Sequence, residues 1–264
     1  MANSNPLPIL TPISNDSPLT IGVLALQGAY AEHVSHLRRL ASSFPPSSNT
    51  PTSSPNPSNQ SNRKRLNNFT TIQVKTAKEL ERCHGLIIPG GESTTMSLIA
   101  SRQIDESGFS LLDWLKSFVK TRSVWGTCAG MILLSDEVIE GSMKKGGQDV
   151  LGGLPILINR NQWGRQTESF EHALQIDCIR DPTRPFPGIF IRAPVIHTIQ
   201  SPESIKTLTT VPISILPKSD RFGPDAQTVG IQKGKLLATA FHPELSQDSR
   251  LHEYWLLECV LIDL

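Results

Sequence analysis

SVWGTCAGMILL, residues Ser123 to Leu134, decides the fold. Ser123–Thr127 reads as an apolar strand and Met131–Leu134 as an apolar helix, with Cys128 on the turn between them. A strand that passes abruptly into a helix crowds the residues beside the turn. Glycines at Gly126 and Gly130 remove the side chains that would collide and leave the sulfur at the strand tip. This is the layout of a nucleophile elbow with cysteine in place of serine, and the dipole of the helix that follows favours a negatively charged sulfur.

Outward from this block the chain alternates strands and helices. Thr20–Leu26 is a β-branched apolar run ended by Gln27-Gly28, and Tyr30, Val34, Leu37 and Ala41 then recur at helical spacing. Thr70–Lys75 and Gly85–Pro89 read as strands, Ala77–Cys83 as a short helix, and Thr94–Ser101 and Phe109–Thr121 as helices. Past the elbow, Leu154–Ile158, Ser169–Ile176, Ile189–Val195, Ile213–Leu216, Thr228–Ile231 and Leu236–Phe241 read as short strands, and Ser249–Asp263 as a closing amphipathic helix. Repeated βα units give a parallel sheet with helices on both faces. The expected architecture is a three-layer α/β/α, flavodoxin-like fold, mostly parallel with antiparallel additions, and its ligands belong beyond the carboxyl ends of the strands.

The 264 residues carry 25 Lys+Arg against 24 Asp+Glu, a net charge of +1, so no global field draws in nucleic acid or an anionic membrane. No run of about 18 apolar residues suggests a membrane span, and no basic-then-apolar leader opens the chain. Cys83, Cys128, Cys178 and Cys259 form no CxxC pair, which argues against a disulfide framework or zinc knuckle and for a reducing, cytoplasmic setting. The 20 prolines are explained in part by Ser42–Asn62, where all but Phe44 and Gln60 are Ser, Pro, Asn or Thr. Such composition cannot offset its ordering entropy. Residues 1–19 are expected as a disordered tail and residues 20–264 as one domain, with a low-complexity insertion at 42–69.

A cysteine nucleophile needs a base, and the base needs an orienting group. His242-Pro243-Glu244 supplies both in one short turn directly after a strand. The other histidines, His33, His36, His84, His172, His197 and His252, read as surface or helix-face residues. Oxyanion donors are also needed, and Pro89-Gly90-Gly91-Glu92-Ser93 follows a strand and opens a helix, so its backbone N–H groups can point into a site there. The spacing is not that of a phosphate-binding loop, and no lysine follows.

Together Gly126–Gly130, Pro89–Ser93 and His242–Glu244 resemble the class I, triad glutamine amidotransferases. LALQG (24–28), GGESTTM (90–96), RNxxGRQ with SFE (160–171), FIRAP (190–194) and FHPEL (241–245) resemble one branch of that family, the glutaminase subunits of pyridoxal 5′-phosphate synthase. The resemblance implies hydrolysis of L-glutamine to L-glutamate and ammonia, passed to a separate synthase subunit for vitamin B6 biosynthesis, with no metal or other cofactor. It implies Cys128 as nucleophile, His242 as general acid/base and Glu244 as its orienter. Gly90, Gly91 and Glu92 match the substrate and oxyanion loop, Arg160, Ile191 and Arg192 the other glutamine contacts, and Gln27 and Gly28 positions near the synthase interface. The alternatives are a catalytically silent regulatory subunit and the glutaminase of another amidotransferase.

Overall fold

The computed structural model describes residues 6–14, 17–43, 66, 69–139, 149–160, 169–216 and 222–263. Strands β1 (Thr20–Leu24), β2 (Thr70–Val74), β3 (Gly85–Ile88) and β4 (Ser123–Thr127) alternate with helices α1 (Tyr30–Ser43), α2 (Ala77–Glu81), α3 (Ser93–Arg102) and α4 (Leu111–Thr121). Next come α5 (Ala129–Leu134), β5 (Ser135–Ile139), β6 (Leu154–Asn159), β7 (Phe170–Leu174), β8 (Phe186–Phe190) and β9 (Val195–Ile199). β10 (Lys206–Thr210), β11 (Thr228–Lys233), β12 (Leu236–Thr239) and α6 (Arg250–Trp255) complete the chain.

The main sheet runs β10-β11-β12-β4-β3-β1-β2, parallel from β12 to β2 and antiparallel through β10, β11 and β12. Every residue of β1, β3, β4 and β12 is buried, which is why these strands read as unbroken apolar runs. The chain steps outward from β1 to β2 and returns to β3 on the other side of β1. The β1/β3 boundary is therefore a topological switch point, where a ligand crevice opens beyond the strand ends. Side chains also set where helices begin. Thr76 with Glu79 and Ser110 with Asp113 form reciprocal capping boxes at α2 and α4. A three-stranded sheet β5-β6-β9 and a β7-β8 hairpin provide the antiparallel additions.

The architecture is the expected one, with local differences. Ile189–Val195, read as one strand, is the end of β8, a turn over Ile191–Pro194 and the start of β9; Arg192 sits there at φ +46°, which breaks extended pairing. Ile213–Leu216, also read as a strand, holds a 3₁₀ turn at Ile213–Ile215 following Pro212, with Ile213 exposed. β5 and β10 were not anticipated. The closing segment is α-helical only to Trp255 and continues as a π turn over Leu256–Val260, where the Cys259 carbonyl accepts from the Ser123 hydroxyl.

Of the expected tail, residues 6–14 lie on the body. The Pro8 carbonyl accepts from Ser117 Oγ at 2.5 Å and the Thr11 carbonyl from Arg122 Nη2 at 2.6 Å. Arg122 Nη1 also donates to the Glu81 and Cys83 carbonyls, so one guanidinium ties this segment to the end of α2. Residues 1–5 and 15–16 lie outside the described residues. So does most of the expected insertion, of which Ser42 and Ser43 finish α1 and Leu66 and Phe69 are buried.

Candidate active site

The carboxyl ends of β3, β4 and β12 bring three short segments together. Cys128 leaves β4 at φ +47° and ψ −101°, a conformation that costs a residue with a Cβ on the order of 1–3 kcal/mol. The two glycines around it explain how the turn is tolerated. A Cβ on Gly130 would stand 2.1 Å from the Ile88 carbonyl oxygen, and one on Gly126 2.4 Å from the Gly130 backbone. The sulfur is nearly buried and approaches the Ile191 carbonyl at 3.9 Å, so the β8–β9 turn covers it.

β12 pairs with β4 in parallel, Thr239 opposite Thr127, which carries the next residues of each strand to the same edge. His242 follows there, its N–H donating to the Ile189 carbonyl at 2.8 Å. Its Nδ1 lies 2.7 Å from Glu244 Oε1, and Cys128 is its other polar neighbour. Burial alone would lower the imidazole pKa, but the hydrogen bonds and charges of Cys128 and Glu244 outweigh it and hold it up, at about 10. Glu244 is almost wholly buried. Burial opposes its ionisation too, and the neighbouring His33 and His242 overcome that and keep its pKa below the usual range. Arg250, buried, binds Asp248 with Nε and Nη2 and donates to the Arg180, Asp181, Arg184 and Pro185 carbonyls. It thereby pins the β7–β8 connection, and with it the strand that carries Ile189.

The glycine loop after β3 forms the opposite wall. Gly90 lies against the triad candidates, since a Cβ there would stand 2.3 Å from His242 Cε1 and 3.4 Å from Cys128 Cβ. Two bonds tie this loop to the end of β1: Ala29 N–H donates to the Gly90 carbonyl and Glu92 N–H to Gln27 Oε1. Gly28, at φ +93°, allows the approach, because a Cβ would meet the Gly90 oxygen at 1.9 Å. A Gly91 Cβ would likewise meet Gln27 Oε1, at 2.3 Å. The Glu92 carboxylate turns back to cap α3. Burial resists its charge, but bonds from Thr95 and Thr94 outweigh this and keep its pKa low.

Of the other expected contacts, Arg160 follows β6 and donates from Nη1 to Thr94 Oγ1 at 3.0 Å, which brings it to the first turn of α3. Ile191 and Arg192 occupy the exposed turn over the sulfur. The structure thus joins Cys128, His242, Glu244, Gly90 and Ile191 directly, with Gly91, Glu92 and Arg160 around the α3 end of the loop.

The reading of the remaining histidines as surface or helix-face groups is corrected for four of the six, since only His172 and His197 are partly exposed. His33, His36 and His252 are buried behind Glu244, and His84 is buried as well. His33 Nε2 stands 3.4 Å from Glu244 Oε2, and His33 Nδ1 2.9 Å from His252 Nε2. The signal was present: His33 and His36 share with Leu37 and Leu40 the stripe of α1 that faces inward. Burial pulls the His33 pKa from 6.5 to about 4, outweighing the attraction of Glu244. The unfolded chain therefore takes up this proton near pH 6.5 and the folded protein only near 4. The stability it represents is full above 6.5 and lost as the pH falls through that window, by about 3 kcal/mol at the acid end. Urea midpoints from pH 7 to 4.5 should fall more steeply for the wild type than for His33→Gln; parallel curves would refute this.

Among the described residues, no helix is long and apolar enough to cross a membrane. The sequence matches the family described as SNO glutamine amidotransferase across residues 23–261. The pyridoxal 5′-phosphate synthase subunit PdxT of Herpetosiphon aurantiacus is 37% identical over 239 residues, 90% of this chain and 99% of that protein. The synthase subunit SNO1 of Saccharomyces cerevisiae is 36% identical, over 94% of this chain and 96% of its own. A solved glutamine amidotransferase superposes with a TM-score of 0.63 at 32% identity, covering 89% of this chain and 96% of that one. With the glycine-flanked elbow, the His-Pro-Glu turn and the glycine loop meeting at one sheet edge, and a match from β1 to the closing helix, the chain belongs to the SNO glutamine amidotransferase family.

Proposed function

We propose that the protein hydrolyses L-glutamine to L-glutamate and ammonia and delivers the ammonia to a synthase subunit that makes pyridoxal 5′-phosphate. The observation that carries this reading is the strained Cys128 beside a His242 that is itself braced by Glu244. Relatives named as subunits of that synthase, matching nearly the full length of this chain, support the partner.

In the proposed cycle the Cys128 thiolate attacks the side-chain amide carbon. Backbone N–H groups of Gly90, Gly91 and Ala129 are the donors assigned to the oxyanion. The imidazolium of His242 gives its proton to the amide nitrogen as the C–N bond breaks, so ammonia leaves and a γ-glutamyl thioester remains. Neutral His242 then takes a proton from water, whose oxygen attacks the thioester and releases glutamate, regenerating the thiolate and imidazolium. Glu244 holds the imidazole orientation throughout. Arg160 and Arg192 are assigned to the substrate carboxylate, with Ile191 and Glu92 completing the pocket. The four cysteines are free thiols, in keeping with a reducing compartment, and we place the protein in the cytoplasm.

The test is glutamate release from glutamine labelled at the amide nitrogen, with and without the synthase subunit. The expected result is release in the complex, with label in the synthase product and a γ-glutamyl group on the Cys128 peptide after acid quench. A folded complex that releases no glutamate would leave a silent regulatory subunit instead. Arg160→Ala should raise KM for glutamine about 10-fold or more while changing kcat less, the loss of one charge-assisted contact. An unchanged KM would remove Arg160 from the substrate site.

A further inference from the structure

Glu244 has two carboxylate oxygens in a nearly dry setting, and His242 accounts for one. Oε2 has no hydrogen-bond partner among the described residues; His33 Nε2 stands 3.4 Å from it, while the hydrogen bond of that nitrogen is to Thr127 Oγ1 at 3.3 Å, on the residue before Cys128. Whether His33 can donate depends on its tautomer, and the surrounding atoms decide it. If the proton sat on Nδ1 and pointed to His252, the bare Nε2 would face an anionic oxygen, and His252 would bury an N–H on Nδ1, an atom with no partner among the described residues. With both protons on Nε2, His252 donates to His33, His33 donates to Thr127 Oγ1 with its N–H edge beside Glu244 Oε2, and His252 Nδ1 is left with an unmatched lone pair rather than a buried N–H.

The third imidazole locks the arrangement. His36 Nε2 lies 3.2 Å from the Glu244 carbonyl and 3.1 Å from that of Ser246; carbonyls only accept, so Nε2 carries the proton and Nδ1 accepts from the Ser249 hydroxyl at 2.8 Å. His36 stacks on His252 at 4.3 Å, and the edges of Trp125 close the other side against His33 and His252. The ionisable groups that face His33 are His36 from its own helix, His252 from α6, and Glu244 with His242 from the turn after β12. β4 contributes only Thr127 and Trp125.

We infer that His33 is a positioning residue of the reaction: its Nε2–H, aligned by His252 and bonded to Thr127, sets the positive edge of the ring 3.4 Å from the otherwise unpartnered second oxygen of Glu244 and so keeps the first directed at His242. The inference rests on the glutaminase reading for its kinetic consequence and on geometry alone for the alignment. Removing the ring takes its positive edge away from the unpartnered Oε2, so Glu244 protonates more readily and its grip on the imidazolium fails at higher pH. His33→Leu in the full-length protein with its synthase partner should lower kcat about 10–100-fold, leave KM within about threefold and move the acid limb of kcat/KM up by about one pH unit. His33→Gln, whose amide can donate from near the Nε2 position, should recover most of the loss.

A parallel arm measures alkylation of the Cys128 peptide by iodoacetamide against pH, which needs neither glutamine nor partner. The acid limb in His33→Leu should shift there too. A folded His33→Leu protein with wild-type kcat and unmoved limbs, or a His33→Gln variant as impaired as His33→Leu, overturns the inference, since a purely packing role would scale activity without moving a pH limb. If the wild type released no glutamate with its partner, the glutaminase reading would fall while the alkylation arm still decided the role of His33.

Discussion

Cys128→Ala is expected to reduce kcat for glutamate release by about 10⁴-fold or more, to the level of background hydrolysis, with the fold intact. The size follows from the mechanism: without sulfur there is no thioester, and the remaining site can only polarise an amide that water attacks poorly. The same position makes a second, independent statement about stability. Cys128 occupies a left-handed φ of +47°, and alanine inherits that strain. Cys128→Gly should be equally inactive and yet more stable than Cys128→Ala by about 1 kcal/mol, because glycine meets no steric penalty there. Steady-state rates in the complex and thermal melts of the two variants check both parts. An alanine variant that retains a tenth of wild-type turnover would overturn the covalent route.

Gly90→Ala has the next largest expected effect. The added methyl would stand 2.3 Å from His242 Cε1 and 2.7 Å from Nδ1, so the ring or the loop must shift by around an ångström. The ring cannot shift freely, because its Nδ1 is held 2.7 Å from Glu244 and its backbone is bonded to Ile189. A misplacement on that scale costs about 10²-fold in kcat/KM. The collision falls on a side chain at the edge of the sheet, so the melting temperature should move little. Gly130→Ala is the contrast: its methyl would meet the Ile88 backbone at 2.1 Å, and there stability itself should fall. If Gly90→Ala kept full activity, the glycine would be dispensable to the site.

Most of the fold could be read from local pattern. Strands β1, β3, β4 and β12 are buried on both faces, and such strands leave apolar runs that need no partner to be recognised. The Cys128 turn and the His242–Glu244 turn were legible for a related reason: each is a short segment whose chemistry and steric demands lie within five residues. What stayed hidden depends on distant chain. β5 carries Asp136 and Glu137 directly after an apolar helix and becomes a strand only by pairing with β6. β10, with Lys206, Thr207 and Thr210 exposed, exists by pairing with β11. The turn at Ile191–Pro194 interrupts what reads as one β-rich run, because Arg192 adopts a left-handed backbone that no propensity announces.

The histidines behind Glu244 show the same limit at the level of chemistry. His33 lies on the buried stripe of α1, but its partner His252 stands 219 residues further along. No spacing rule connects them. That separation also bears on timing. The histidine cluster behind Glu244 is closed by a helix at one end of the match and a helix at the other, so it forms only after nearly the whole chain has emerged and docked. On the proposed mechanism a partly synthesised or truncated copy can present the thiol, but not the aligned imidazole, and such fragments should be quiet bystanders in the cell rather than leaky sources of ammonia.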